Sequence, residues 1–278
     1  MLAMLMASGS IVTGVCLSDQ TPRVEPVWQT DGLDNPESVI PDGEGGFIVS
    51  NVNGEGAGRD ANGYLARLDA TGRITTSRWT TGLDAPKGLD RLDTRIYVTD
   101  IDQIVEIDAA SGRVVDRHAV AGASFLNDAA VHDGALYVSD SGRGRIYRLV
   151  DGIVTLWLED EALAGLNGLL PETDRLLVTT MDRGEVIAID WDSQALTVLA
   201  GELSNADGIA QAPGGGYFVS QWPGQVWHLD AGRVASPVFD READGVLMND
   251  LVVVGDLLVV PHWAPGRVSA WRIRCAHD

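Results

Sequence analysis

The sequence predicts an all-β protein folded as a six-bladed β-propeller with four antiparallel strands in each blade. A short motif that opens an apolar run recurs about every forty residues, and such self-similarity is typical of a repeat architecture. Each repeat contains four short apolar runs separated by Gly and Asp-Gly turns. No segment keeps a helical period for about ten residues between capping residues, which leaves little room for helices.

Each of the six repeats carries one polar residue at the same position, where its first apolar run begins. These residues are Glu37, Lys87, Asn127, Asn167, Asp207 and Asn249. In the third repeat the four runs are residues 126–131, 135–140, 145–150 and 153–158. This series of runs and turns predicts a four-stranded meander. Radial repetition of such sheets around an axis leaves only short edges, which favours a propeller.

The two ends of the chain are predicted to close the ring together. The last repeat supplies three strands before the chain ends, and residues 23–29 resemble fourth strands such as residues 73–79. We therefore assign the N-terminal run as the outer strand of blade six, within a single propeller domain at 17–278.

The first sixteen residues differ in composition from the rest. Residues 1–15 are uncharged and apolar, like the central region of a secretory signal, but the first basic residue is Arg23. We interpret residues 1–16 as a truncated signal peptide, which predicts a periplasmic or secreted protein. The alternative is that the segment is not a signal.

The two cysteines lie beside the predicted closing strands. Cys16 precedes the N-terminal strand and Cys275 follows the third strand of blade six, so antiparallel pairing would bring them close. A disulfide there would close nearly the whole chain and would require an oxidising compartment. The alternative is two unrelated thiols.

The net charge of −20 limits the classes of partner. A negative surface repels nucleic acid and anionic membranes and attracts cations. Away from the N-terminus, no uncharged apolar stretch reaches the roughly 18 residues needed to span a bilayer. We expect a monomer without a transmembrane segment that binds a small molecule and no nucleic acid.

Polar residues are predicted to form two rings at one mouth of the central channel. First strands start, and second strands end, at the same face, so the six recurring polar residues form an inner ring. The outer ring consists of Asn51, Asp100, Asp140, Thr180, Gln221 and His262. Trp222 and Trp263 follow two of these residues, and the Gly-rich insert at 53–63 is a candidate lid.

The inner ring brings two carboxylates and several amide oxygens toward one axis. Oxygen ligands in irregular geometry suit Ca²⁺. We predict a divalent-cation site formed by Glu37, Asn127, Asn167 and Asp207. The alternative is that Asn, Asp and Gly recur because turns into strands favour them.

Four ordered motifs resemble the regucalcin/gluconolactonase (SMP-30/LRE-like) family of six-bladed propellers, with a more distant similarity to paraoxonases. They are the motifs at 35–38, 126–128, 166–169 and 206–209, the last followed by the run at 216–219. The resemblance implies that Glu37, Asn167 and Asp207 bind a divalent ion and that Asn127 contacts metal or substrate. It also implies lactonase or ester-hydrolase activity. Paraoxonases are similar in tying their two ends by a disulfide.

Two positions depart from the family pattern. Gluconolactonases commonly carry an Arg where this chain has Phe125, so a sugar acid would lose an anchor. Phe125, Trp222 and Trp263 instead indicate a more apolar substrate, and we assign them, with Asn127 and Asp140, to substrate contact. Lys87 is unusual in a cation cage and is expected to pair with Asp207 or Glu37.

These residues predict a metal-dependent lactonase or esterase. The cation would polarise the carbonyl, and Asp207 would act as base toward water. His262 is the second candidate base, because an imidazole titrates near neutrality. The alternative from a different class is a non-catalytic propeller that uses its rim to bind a ligand or a protein, since this fold hosts both.

Overall fold

The computed structural model describes residues 21–274, which form six antiparallel sheets around a central axis. This arrangement confirms the predicted six-bladed propeller. Apart from strands, the described chain contains two short 3₁₀ helices, Glu161–Leu163 and Glu242–Asp244.

The first three blades follow one another along the chain, with their strands paired in sequence order. Blade one contains β2 (Pro36–Pro41), β3 (Phe47–Asn51), β4 (Gly63–Leu68) and β5 (Ile74–Leu83). Blade two contains β6 (Pro86–Leu92), β7 (Arg95–Asp100), β8 (Gln103–Asp108) and β9 (Val114–Ala119). Blade three contains β10 (Leu126–His132), β11 (Ala135–Asp140), β12 (Arg145–Val150) and β13 (Ile153–Glu159).

Blade six differs from the others because its first strand is split in two and its outer strand comes from the start of the chain. Blade four contains β14 (Leu166–Pro171), β15 (Arg175–Thr180), β16 (Glu185–Asp190) and β17 (Leu196–Ala200). Blade five contains β18 (Ala206–Gln211), β19 (Tyr217–Gln221), β20 (Gln225–Leu229) and β21 (Ala235–Asp240). Blade six contains β22 (Leu247–Met248), β23 (Val252–Val254), β24 (Leu257–Ala264), β25 (Arg267–Arg274) and β1 (Arg23–Asp31).

The closing contact pairs β1 with β25 in antiparallel register along the length of both strands. Two ion pairs flank it, Arg267 to Asp31 at 2.7 Å and Arg274 to Glu25 at 3.0 Å. The predicted Cys16–Cys275 pairing and the signal-like segment 1–16 lie outside the described residues and stay predictions.

The core lies between neighbouring blades. In the first interface, Ile40 and Ile48 of blade one pack with Leu89 and Ile96 of blade two. Inner strands such as β3 are buried throughout, whereas outer strands such as β13 are mostly exposed or half-buried. Burial of apolar sheet faces against the next blade therefore stabilises the ring. Among the described residues, we find no helix with the length and apolar character that a membrane span requires.

Candidate active site

The inner ring lies at a β-bulge in the first strand of each blade. In blade one, Pro36 pairs with Asn51 and pairing resumes only at Val39, so Glu37 and Ser38 have no ladder partner. The same interruption follows Leu126 in blade three. A bulge bends the strand and re-aims a side chain, which is how one position per blade comes to face the axis.

A hydroxyl from the second strand satisfies the backbone N–H that the bulge leaves free. Ser50 Oγ accepts from the N–H of Ser38 at 3.0 Å, and Thr179 Oγ1 accepts from the N–H of Gly168 at 2.8 Å. Ser139 and Ser220 do the same in blades three and five. The role of these hydroxyl residues is not among the predictions from the sequence. Their signal in the sequence is a Val followed by Ser or Thr, which precedes the outer-ring residue in five blades.

The six inner-ring side chains are buried, with exposed fractions of 3–7%. Burial and then the charge of Asp207 raise the pKa of Glu37 well above its usual value, while Lys87 lowers it. Burial and then Asp250 raise the pKa of Asp207 to about 8, against a lowering effect of the Asn167 side chain that hydrogen-bonds it. The ring therefore holds two desolvated, mutually repelling carboxylates beside amide groups.

The ammonium group of Lys87 hydrogen-bonds to the Gly-rich insert at 53–63. Its Nζ donates to the carbonyl oxygens of Gly56 at 2.6 Å and Ala85 at 3.2 Å, and lies 4.3 Å from the centroid of the Phe125 ring. Within residues 21–274, Lys87 forms no salt bridge, so the expected ion pair with Asp207 or Glu37 is not formed. Its charge still acts on Glu37 through space.

The Gly-rich insert at 53–63 is fastened over blades one and two. Arg59 forms an ion pair with Asp102 at 2.8 Å, and the N–H of Ala61 donates to Asp84 Oδ1 at 3.0 Å. With Gly56 held by Lys87, this segment, which we call the lid, lies next to the inner ring.

Outer-ring side chains mainly hold the loops that lead into the first strands. Asp100 accepts hydrogen bonds from the backbone N–H groups of Asp84 and Ala85. Asp140, which was assigned to substrate contact, is fully buried and accepts from the N–H groups of Ser124 and Phe125. Its position makes Asp140 a positioning residue for Phe125.

His262 lies in a side cavity of about 390 Å³ with Arg241, Arg267 and Trp271, and no inner-ring residue lines that cavity. Burial, followed by the charges of the two arginines, lowers the pKa of His262 to about 4. The imidazole is therefore neutral and outside the channel, and this geometry does not support its expected role as a second base.

The two rim tryptophans are both half-buried. Trp263 packs against Val52, Ala85 and Ile101, where the loops of neighbouring blades meet. Trp222 follows Gln221 on blade five. Their assignment to substrate contact, together with Phe125, stays a prediction.

A second cavity, of about 650 Å³, opens at the opposite end of the channel and includes Asp90, Asp128 and Asp250. Asp128 Oδ2 accepts from the N–H of Leu169 at 2.6 Å, and Asp250 Oδ2 accepts from Ser38 Oγ at 2.5 Å. These hydrogen bonds join neighbouring blades, so the deeper carboxylates have a structural role.

No group of three His, Cys, Asp or Glu side chains within the described range is arranged to hold a metal ion. A cation at the inner ring would therefore depend on amide oxygens as well as on Glu37 and Asp207. Asn127, Asn167 and Asn249 supply amides at this level of the channel.

No family model matches this sequence, and no curated protein matches it by sequence. Solved structures with the same fold include a gluconolactonase from Xanthomonas campestris, with 16% identity, a TM-score of 0.64, and coverage of 93% of this chain and 97% of that chain. The structure of a luciferin-regenerating enzyme also matches, with 13% identity, a TM-score of 0.65, and coverage of 92% of this chain and 96% of that chain.

Virginiamycin B lyase from Staphylococcus aureus also matches, with 11% identity, a TM-score of 0.66, and coverage of 91% of this chain and 99% of that chain. At such identities the likeness describes the fold, and the similarity to paraoxonases stays a prediction. The chain thus has the six-bladed propeller fold found in gluconolactonase and in luciferin-regenerating enzyme (SMP-30/LRE-like).

Proposed function

We propose that this protein is a divalent-cation-dependent hydrolase that acts on a lactone or an ester at the lidded mouth of its channel. The proposed cation ligands are Glu37, Asn127, Asn167 and Asp207, and Ca²⁺ is the cation that best suits such oxygen donors. A periplasmic or secreted location is part of the same proposal.

The observation that carries the proposal is the burial of the Glu37 and Asp207 carboxylates and the rise in their pKa values. Both carboxylates are buried, and the pKa of each is raised by burial and by neighbouring negative charge. The one basic side chain of the inner ring, Lys87, instead donates its hydrogen bonds to the carbonyl oxygens of Gly56 in the lid and of Ala85. A divalent cation between the carboxylates would offset their repulsion, which is why the donor set fits one.

The bound cation would polarise the substrate carbonyl and stabilise the developing oxyanion. Asp207, oriented by the Asn167 side chain, is the proposed base that accepts the proton of the attacking water. Phe125 and the lid would cover the reacting group and limit the access of other water. The half-buried Phe125, Trp222 and Trp263 favour an ester or lactone with an apolar substituent.

The test is a panel of aryl esters and lactones assayed with Ca²⁺, with chelator, and with Ca²⁺ restored. The proposal expects turnover that chelator abolishes and Ca²⁺ restores, and that Asp207→Asn removes. Asp133→Asn is the matched control, because the Asp133 side chain is 95% exposed on a hairpin. Full turnover in chelator, or in Asp207→Asn, would refute this mechanism.

A non-catalytic binding protein is the second candidate. A structure of the nidogen/laminin complex shares the fold, with 14% identity, a TM-score of 0.64, and coverage of 78% of this chain and 92% of that chain. This candidate predicts no turnover across the panel and no change in thermal stability on adding Ca²⁺.

A further inference from the structure

We propose that Asn249 supplies an additional oxygen ligand to the cation, so that blade six takes part in the site. The inference rests on the proposed function, because it assumes that the inner ring binds a cation. It goes beyond the ligand set above, which leaves blade six without a contact.

The backbone register places Asn249 at the position that Glu37 occupies in blade one. Met248 pairs with His262, and pairing resumes at Val252 opposite Val259. The ladder is therefore interrupted directly before Asn249, as it is before the other inner-ring residues, although the interruption in blade six is one residue longer on each strand.

The segment that contains Asn249 lies between blade one, which carries Glu37, and blade five, which carries Asp207. Asp250, the next residue, accepts a hydrogen bond from Ser38, which follows Glu37. On the other side, Gly208 follows Asp207, and a Cβ at Gly208 would overlap Asp250 Oδ1. The segment at 249–250 thus packs against the residues that carry both proposed acidic ligands.

The side chain of Asn249 has an unsatisfied acceptor. It is 5% exposed, and its Oδ1 is buried without a hydrogen-bond partner. No other inner-ring side chain in the described range has such an oxygen. A buried acceptor of this kind in a folded protein calls for a ligand, an ion or a water molecule to satisfy it.

The chemistry of this oxygen suits the proposed cation. With Asn249, the donor set contains two carboxylates and three amide oxygens, and Ca²⁺ takes 6–8 oxygen ligands, which leaves positions for water and substrate. An amide adds a ligand without adding to the negative charge that already raises the pKa values of Glu37 and Asp207.

The experiment measures Ca²⁺ binding by calorimetry, and thermal stability without cation, for the full chain. The variants are Asn249→Ala and Asn249→Leu, and the matched control is Thr80→Ala. Thr80 is also a buried polar residue, but its hydroxyl is satisfied by the carbonyl of Gly112 and it lies on the outer strand β5.

We expect both Asn249 variants to bind Ca²⁺ at least about tenfold more weakly than the wild type, while Thr80→Ala keeps the wild-type affinity. We also expect Asn249→Leu to melt no lower than the wild type without cation, because it removes an unsatisfied acceptor. A structural role would instead lower the melting temperature and leave the affinity unchanged.

The outcomes separate the two proposals. A wild type that binds Ca²⁺ together with Asn249 variants that bind within about twofold of it would refute the role of Asn249 alone. A wild type that binds no divalent cation would refute the proposed function and this inference with it.

Discussion

The ammonium of Lys87 donates a 2.6 Å hydrogen bond to the carbonyl oxygen of Gly56, which ties the inner ring to the lid. The side chain whose charge lowers the pKa of Glu37 thus also holds a surface loop in place. The contact couples access to the mouth with the electrostatics of the proposed site.

Replacing Lys87 by Met should loosen the lid. The variant keeps the length of the side chain and its packing on Phe125 but loses both hydrogen bonds, so amide hydrogens of residues 53–63 should exchange faster. Hydrogen exchange followed by mass spectrometry measures this directly. Arg73→Met is the control, because the Arg73 side chain is 78% exposed on blade one, where it pairs with Asp69. Unchanged exchange in the lid of Lys87→Met would show that Arg59 and Asp84 hold it without Lys87.

The stability of the cation-free protein should fall as pH rises toward 8. The pKa of Asp207 is raised to about 8 in the folded state, so between its unfolded value near 4 and that value the folded state holds more protons than the unfolded state. Its contribution to the free energy of unfolding is present at low pH and is lost as pH rises through about 8. Thermal melts of wild type and Asp207→Asn from pH 6 to 9 check this, and the loss should be larger in the wild type, because Glu37, whose pKa is also raised, remains in the variant.

Cation binding should show the opposite trend with pH. A divalent ion competes with protons for Glu37 and Asp207, whose pKa values are both raised, so affinity for Ca²⁺ should increase as pH rises. Calorimetric titrations across the same pH range measure the affinity and the protons released. An affinity independent of pH would place the ion away from these two carboxylates.

Thr179→Val should destabilise the protein by about 1–3 kcal/mol, because it leaves the buried N–H of Gly168 without an acceptor at nearly constant volume. The hydroxyl also donates to the carbonyl of Asp207, so the proposed ligands Asn167 and Asp207 lose a common support. Denaturant unfolding measures the loss, with Thr76→Val on the exposed outer strand β5 as control. A loss no larger than that of the control would mean that the hydroxyl does not support the ring.

His262→Leu should leave catalysis unchanged and improve stability in acid. The pKa of His262 is lowered to about 4, so the unfolded state takes up a proton first as pH falls below about 6.5, which destabilises the fold. The Leu variant removes that loss between about pH 6.5 and 4. Melts at pH 5 and pH 8 together with the ester panel test both points, and a loss of turnover comparable to that of Asp207→Asn would restore His262 as a base.

The forty-residue spacing is enough to predict six blades and the residues of the inner ring, because a repeat places equivalent residues at equivalent points of a closed structure. The pairing of β1 with β25 likewise matches the expected assignment of the N-terminal strand. What spacing leaves open is the direction of each side chain.

The outer ring illustrates this limit. Asp140 and His262 end second strands at the same position in their blades, yet Asp140 turns to its own entry loop and His262 to a cavity beside Arg241. A similar limit applies to Lys87, whose long side chain reaches Gly56 rather than the carboxylate of Glu37 or Asp207. The direction of each of these side chains depends on packing and on desolvation, which are properties of the assembled ring.

The seam between β1 and β25 has a consequence for biosynthesis. Among the strands of the ring, β1 is synthesised first and its partner β25 last, so the hydrogen-bonding edge of β1 stays unpaired until all six blades have been synthesised. The mouth of the channel cannot be assembled earlier, because Asn249 belongs to the blade that this seam completes. A chain released before β25 is synthesised would thus have an open ring and an unpaired strand edge that can pair with another chain.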